Sequence, residues 1–327
     1  MKPIAWFRLV AATALALGAL CAPQASAQVP GRFYWKGLTG ANAAPLIFNS
    51  ITGNTNPFNP AHTVVPDAKI DATMALMGYA HTFALGERSA MAAILLPMGR
   101  LSGDVTVAGR SVSQSTSGFG DPTIELAVNI LGPKAQKNLV DALRYEPGFS
   151  VDLLADLALP LGEYDSSKTL NIGQNRWYGR LGAPIVWQIG DWVPGRRTTL
   201  EFLPAVWMFG NNTDYDSGKI LKTDALFQLD AHLTRDFTEN FWGGLDASWY
   251  NGGKSTVNGV EGKKLNNVGW GITFGYKLNE NANLTFGYKS TVNDNAPDAL
   301  RMDSFMVTFV YGWHPLLEGS RRLKSEK

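Results

Sequence analysis

His232, Asp246, Ser248 and Asp230 are the residues whose types could do covalent chemistry. If the Asp236–Phe241 segment turns a hairpin, His232 lies across from Asp246 and Asp230 across from Ser248. A hydroxyl, an imidazole and a carboxylate on one wall would suit acyl transfer, and hence a membrane-bound hydrolase. The same residues also suit a polar wall that does no chemistry. Nothing else in the chain favours catalysis, so the enzyme reading is set aside. His62, His81, His232 and His314 are far apart, and the only cysteine is Cys21, so no metal-ligand spacing is present. Asn211–Asp216 and Asp294–Asp298 have the oxygen density of Ca²⁺ loops but read as solvated turns. No phosphate-binding glycine loop occurs, and a net charge of +1 leaves no footprint for nucleic acid. No cofactor is expected.

The elements that must carry these residues are strands. From Val268 to Leu278 every second residue is large and apolar, with glycine, threonine or lysine between. After Asn279-Glu280-Asn281 the alternation resumes with Leu284, Phe286 and Tyr288. A period of two puts the two sets on opposite faces, and the break is a tight turn. Similar alternation recurs at Ile70–Leu85, Ala90–Leu101, Thr123–Ile130, Phe149–Leu161, Trp177–Ile189, Thr198–Phe209, Ala225–Arg235, Phe241–Tyr250 and Met302–Trp313. Arg32–Thr39 reads as a short first strand. Gly40–Pro66, Ser102–Gly120, Gly162–Asn175, Asn211–Thr223 and Asn251–Leu265 read as long loops. Gly132–Pro147 interrupts the series with helical spacing at Leu139, Ala142 and Leu143.

About twelve strands, with long and short connections in alternation, predict an all-β, transmembrane, antiparallel up-and-down barrel. Charged residues fall on the small-residue face, which places them in the lumen and the bulky face toward lipid. The inward acids are then Glu125, Asp152, Asp156, Glu201, Asp230 and Asp246, and the inward bases Arg180, Lys277 and Lys289, with His232 also inside. This surplus of acid predicts mild cation selectivity in an open pore. An apolar solute would follow Leu154, Trp207 and Tyr250. Arg176 either shapes a turn or enters the lumen to meet Asp152 or Asp156 as a constriction. Trp35, Trp177, Trp187, Trp192, Trp242, Trp249, Trp270, Tyr276 and Trp313 lie near strand ends and read as interfacial girdles.

Residues 1–27 read as a secretory signal, with Lys2 and Arg8 before an apolar run and Ala25-Ser26-Ala27 as the cleavage site. The barrel is expected over 28–313, followed by a basic tail at 314–327.

Leu159-Pro160-Leu161-Gly162-Glu163-Tyr164-Asp165 with Asn171-Ile172-Gly173-Gln174-Asn175-Arg176-Trp177 resembles the bacterial outer-membrane family named for the meta-pathway of phenol degradation. Ser117-Gly118-Phe119-Gly120-Asp121-Pro122 and Trp249-Tyr250-Asn251-Gly252-Gly253 are similar to further pieces of it. The resemblance implies an outer-membrane channel, distantly like the transporters of long-chain fatty acids and aromatic hydrocarbons. Residues after Trp313 depart from the aromatic end that barrels usually offer to the assembly machinery. The sequence therefore predicts a monomeric Gram-negative outer-membrane channel for small hydrophobic or aromatic solutes. Its partners would be lipid, solute and the barrel-assembly machinery. A structural or adhesive barrel is the alternative.

Overall fold

A computed structural model describes residues 29–316, apart from 108–109, 293–295 and 297. The predicted signal and most of the basic tail lie outside the described residues. The strands are β1 (Asn42–Gly53), β2 (Lys69–Leu85), β3 (Arg88–Val107), β4 (Arg110–Phe119), β5 (Thr123–Leu131), β6 (Phe149–Ala158), β7 (Tyr178–Gly182), β8 (Ile185–Gln188) and β9 (Thr198–Phe209). There follow β10 (Asn212–Tyr215), β11 (Lys219–Thr223), β12 (Leu226–Asp236), β13 (Phe241–Gly252), β14 (Ser255–Val257), β15 (Val260–Glu261), β16 (Leu265–Lys277), β17 (Ala282–Thr291) and β18 (Met302–Trp313). Among the described residues one helix, α1 (Leu139–Leu143), sits between β5 and β6, capped by the Asn138 side chain.

The barrel runs β1-β2-β3-β5-β6-β7/β8-β9-β12-β13-β16-β17-β18 and closes where β1 pairs with β18 from Asn42↔Trp313 to Gly53↔Met302. These are twelve antiparallel positions, as the alternation requires. β7 and β8 share one position, because Ala183-Pro184 interrupts what the sequence reads as a single strand Trp177–Ile189. Pro184 has no N–H to give to the ladder.

Three sequence expectations are corrected. The first strand is β1, inside the stretch read as a loop, and Arg32–Thr39 forms no strand. Ser102–Gly120 is largely strand: β3 continues past the barrel and pairs back on β4 from Met98↔Phe119. The stretches 211–223 and 251–265 contribute β10, β11, β14 and β15, which form a small sheet of their own over the long-loop end. Their serines, threonines and glycines hid strands that pair with each other outside the barrel wall.

The faces follow the predicted phase. Leu126 and Leu153 are 43% and 55% exposed on the outside, whereas Glu125, Asp152, Leu154 and Asp156 are buried within. The outward row calls for an apolar surrounding. Leu153→Arg is expected to destabilise the folded barrel by about 2–4 kcal/mol, and Leu153→Ile by far less. Denaturant titration in lipid vesicles checks this, and equal tolerance of both changes would contradict the outward assignment. Of the predicted girdle, Trp177, Trp187, Trp270 and Tyr276 are exposed outside. Trp35, Trp192 and Trp242 instead turn inward onto Arg32 and Arg197.

Candidate functional site: a luminal cavity closed at both ends

The segment 29–41 enters the barrel at the short-turn end and runs up its axis. Its stretch Arg32–Thr39 reads as a short strand, yet it forms no ladder and is held largely by side chains of the wall. The Arg32 amide donates to Glu201 Oε2 at 2.9 Å, and Trp35 Nε1 to Glu201 Oε1 at 2.9 Å. The Arg32 guanidinium contacts Asp236 Oδ1 at 2.5 Å and lies over the rings of Trp35 and Trp242 at 4.3 and 4.4 Å. Arg197 takes the other Asp236 oxygen at 2.7 Å. Lys36 Nζ pairs with Asp152 Oδ1 at 2.9 Å and donates to Ser150. The insert 132–147 holds this segment from outside: Thr39 N donates to the Gln136 carbonyl at 2.9 Å, and Gln136 Nε2 to the Lys36 carbonyl at 3.2 Å. Buried cations persist only when paired, and each of these is.

Above the segment the wall is charged. Arg180 binds Asp156 at 2.5 Å and reaches Glu125 at 3.9 Å, the two carboxylates being paired across β5 and β6. Leu154 packs with Val29 and Tyr34 of the axial segment, so it faces that segment and not an open path. On the facing wall His232 Nδ1 meets Asp246 Oδ1 at 2.6 Å, and Thr273 donates to the other oxygen. The hairpin register sets His232 opposite Asp246 and Asp230 opposite Ser248, as the sequence predicts. Among the described residues, no hydrogen bond joins Ser248 to His232, so the hydroxyl lacks its base. Gln228 Nε2 donates to Asp230 at 2.6 Å, and Lys289 is buried nearby. Lys277, phased inward, lies at the rim and pairs with Glu280 of its own turn at 3.0 Å.

The long-loop end is closed by residues 54–65, which fold back into the mouth. Phe58, Asn59, Ala61 and His62 are all buried there. Arg176 belongs to this closure and meets neither Asp152 nor Asp156. Its guanidinium donates to Thr223 Oγ1 at 2.7 Å and Asn59 Oδ1 at 3.2 Å, and lies 5.0 Å from the Phe209 ring. The luminal carboxylates expected for it are held by Arg180 and Lys36. Three of the glycine-bearing motifs interlock beside it. Asp121 accepts from Gly162 N at 2.9 Å and Gln174 N at 2.8 Å. A Cβ on Gly173 would stand 2.6 Å from the Gly162 backbone, so only glycine permits this approach.

His62 sits in the left-handed region at φ 47, edge-on to Tyr250 with ring centroids 4.9 Å apart. Burial lowers its pKa from 6.5 to about 4. An opened loop therefore takes up a proton that the closed loop refuses. Closure is fully stabilised above pH 6.5 and weakens as pH falls toward 4, by about 3 kcal/mol in all. Hydrogen exchange of residues 54–65 should accelerate between pH 7.5 and 4.5, and His62→Phe should remove that dependence.

Between the two closures lies a cavity of about 220 Å³. Phe58, Met74, Leu95, Trp207, Tyr250 and Met306 give it an apolar body. Trp207 Nε1 donates to Gln228 Oε1 at 2.6 Å, and Arg180 lies 5.1 Å from its ring. Of the predicted path, Trp207 and Tyr250 line this cavity, and Glu125, Asp156 and Arg180 form its charged side. Asp152 and Glu201 instead anchor the axial segment. Sequence reading missed Arg32, Lys36, Phe58 and His62. The one signal was composition, since cations and aromatics in 29–41 and a buried-type Phe in an Asn/Pro loop have no use in water. The acid surplus read from the strands alone is reduced by Arg32 and Lys36.

Comparison places this architecture. The family described as "Putative MetA-pathway of phenol degradation" matches residues 53–309. Among solved structures, an outer membrane channel from Pseudomonas putida F1 is similar with a TM-score of 0.70 and 16% identity, covering 88% of this chain and 100% of that one. The β domain of the Bordetella autotransporter BrkA follows with a TM-score of 0.51 and 11% identity, covering 84% of this chain and 100% of that one. The transport unit of the autotransporter AIDA-I from Escherichia coli has a TM-score of 0.50 and 10% identity, covering 86% and 93%. At these identities the likeness is one of fold. No curated protein matches the sequence.

Proposed function

The chain belongs to the MetA-pathway of phenol degradation family, and from that premise we propose that it is an outer-membrane channel passively conducting small apolar or aromatic solutes. The observation that carries this reading is the axial cavity, apolar and aromatic over most of its lining and set between two closures that side chains hold. A barrel serving only as scaffold or adhesin has no use for an apolar space on its axis.

The test is uptake into proteoliposomes. Small aromatic solutes should enter faster than sugars of similar mass. Trp207→Ala removes an aromatic contact worth about 1 kcal/mol and should slow aromatic uptake several-fold. If aromatic uptake is untouched while ion conductance rises, Trp207 is a plug residue and not a solute contact. Equal permeation of sugars and aromatics, or none of either, overturns the reading.

A further inference from the structure

A second cavity, of about 210 Å³, lies toward the short-turn end. Tyr34, Trp35 and Lys36 of the axial segment line it, together with Tyr145 of the insert and with Trp192 and Arg197 of the turn before β9. Its unpartnered polar groups are chiefly donors. Arg197 gives Nε to Asp236 at 2.7 Å and lies 5.3 and 5.4 Å from the Trp35 and Trp192 rings, which fixes the guanidinium. Its two Nη groups have no hydrogen-bond partner among the described residues, and neither have the Tyr145 hydroxyl and the Trp192 indole N–H. The Arg197 side chain is 26% exposed, so this edge is reachable. Lys36 is a second cation on the lining, and no carboxylate lines the cavity among the described residues. Asp152 and Asp236 balance the two cations from behind.

We infer that this cavity is a binding site for a small aromatic carboxylate, apart from the path through the first cavity. The two Nη groups form one flat edge that takes both oxygens of a carboxylate. The Tyr145 hydroxyl and the Trp192 N–H are further donors, and the rings of Tyr34, Trp35 and Trp192 give the ligand's ring an aromatic surrounding. The preference rests on these free donors and not on surplus charge, which Asp152 and Asp236 cancel. An alcohol brings no charge to the guanidinium edge. An ammonium sets donors against donors and a cation against two cations. A ligand seated here touches the axial segment, the insert and the turn at once, in the arrangement that obstructs the lumen. It therefore holds the axial segment in its seat.

Calorimetry on the full-length protein in detergent, with benzoate, benzyl alcohol and benzylamine as probes, tests this. Benzoate should bind about tenfold tighter than the alcohol and about a hundredfold tighter than the amine. Arg197→Gln should cut the benzoate-to-alcohol ratio about tenfold. Arg197→Lys should recover only part of it, because an ammonium keeps the charge but lacks the flat edge. Tyr145→Phe breaks no ion pair and should lower the ratio several-fold. Heat-dependent mobility on electrophoresis verifies that each variant is folded. Saturating benzoate should also slow hydrogen exchange of residues 29–41 several-fold. Equal affinity for the three probes, a ratio that neither Arg197→Gln nor Tyr145→Phe moves, or exchange of 29–41 unchanged by bound benzoate overturns the site. None of these results touches the channel reading, which uptake into proteoliposomes tests separately.

Discussion

Deleting residues 29–38 should raise single-channel conductance by about an order of magnitude, because the axial segment fills the lumen at its short-turn end. The segment is held by Glu201, Asp236 and Asp152 on three separate strands, so no single contact keeps it in place. Asp236→Asn weakens the hold on Arg32 and Arg197 together and should give frequent brief openings in place of a steady open level. A reversible lock makes the test sharper. A Cβ built on Gly31 lies 3.5 Å from the His232 Cβ, at the short end of the range a disulfide spans. Cys21, the only native cysteine, lies in the predicted signal, so the pair Gly31→Cys and His232→Cys has no competitor once that signal is removed. Planar-bilayer recordings should show the oxidised pair silent and the reduced pair conducting. Unchanged conductance after the deletion would show that the loop 54–65 alone closes the pore.

The second large effect is on stability. Arg180→Met should destabilise the barrel by about 3–5 kcal/mol, since it leaves two buried carboxylates facing each other without a cation. The Asp156 and Glu125 side chains are each 3% exposed, so water cannot take over. Adding Glu125→Gln and Asp156→Asn to Arg180→Met should recover most of the loss, because a neutral trio carries no unpaired charge. Denaturant midpoints in vesicles measure both. If Arg180→Met costs no more than an exposed change, water reaches the pair and the cavity is wetter than its lining indicates.

The wall was legible in the sequence because a period of two is set by the strand itself. Glu125, Asp156, Arg180, Asp230, His232 and Asp246 all lie on the face that alternation assigns them. The contents of the lumen were not legible, for a physical reason. Inside a barrel this narrow, loops and the axial segment pack on inward side chains, and nothing in that packing has a period. Arg32–Thr39 reads as a short strand, yet its amides form no ladder with a neighbouring strand. Phe58 and His62 sit among Asn and Pro that read as solvent-exposed loop. Arg176 reads as either a turn residue or a luminal one, and which anion or hydroxyl it meets depends on loops that only the fold brings together.

The axial segment runs directly into β1, and β1 closes the barrel by pairing with β18 across nearly the whole length of the chain. Contacts between such distant segments carry the largest loop-closure cost and form late. The space that the segment fills does not exist until that seam has formed, and His314, just past β18, then bonds the Thr39 carbonyl at 3.0 Å to tie both ends at the rim. Every newly closed barrel therefore passes through an interval with its short-turn end unplugged. The membrane that receives it bears a transient leak at each insertion, whose size depends on how fast thirteen residues find their seats.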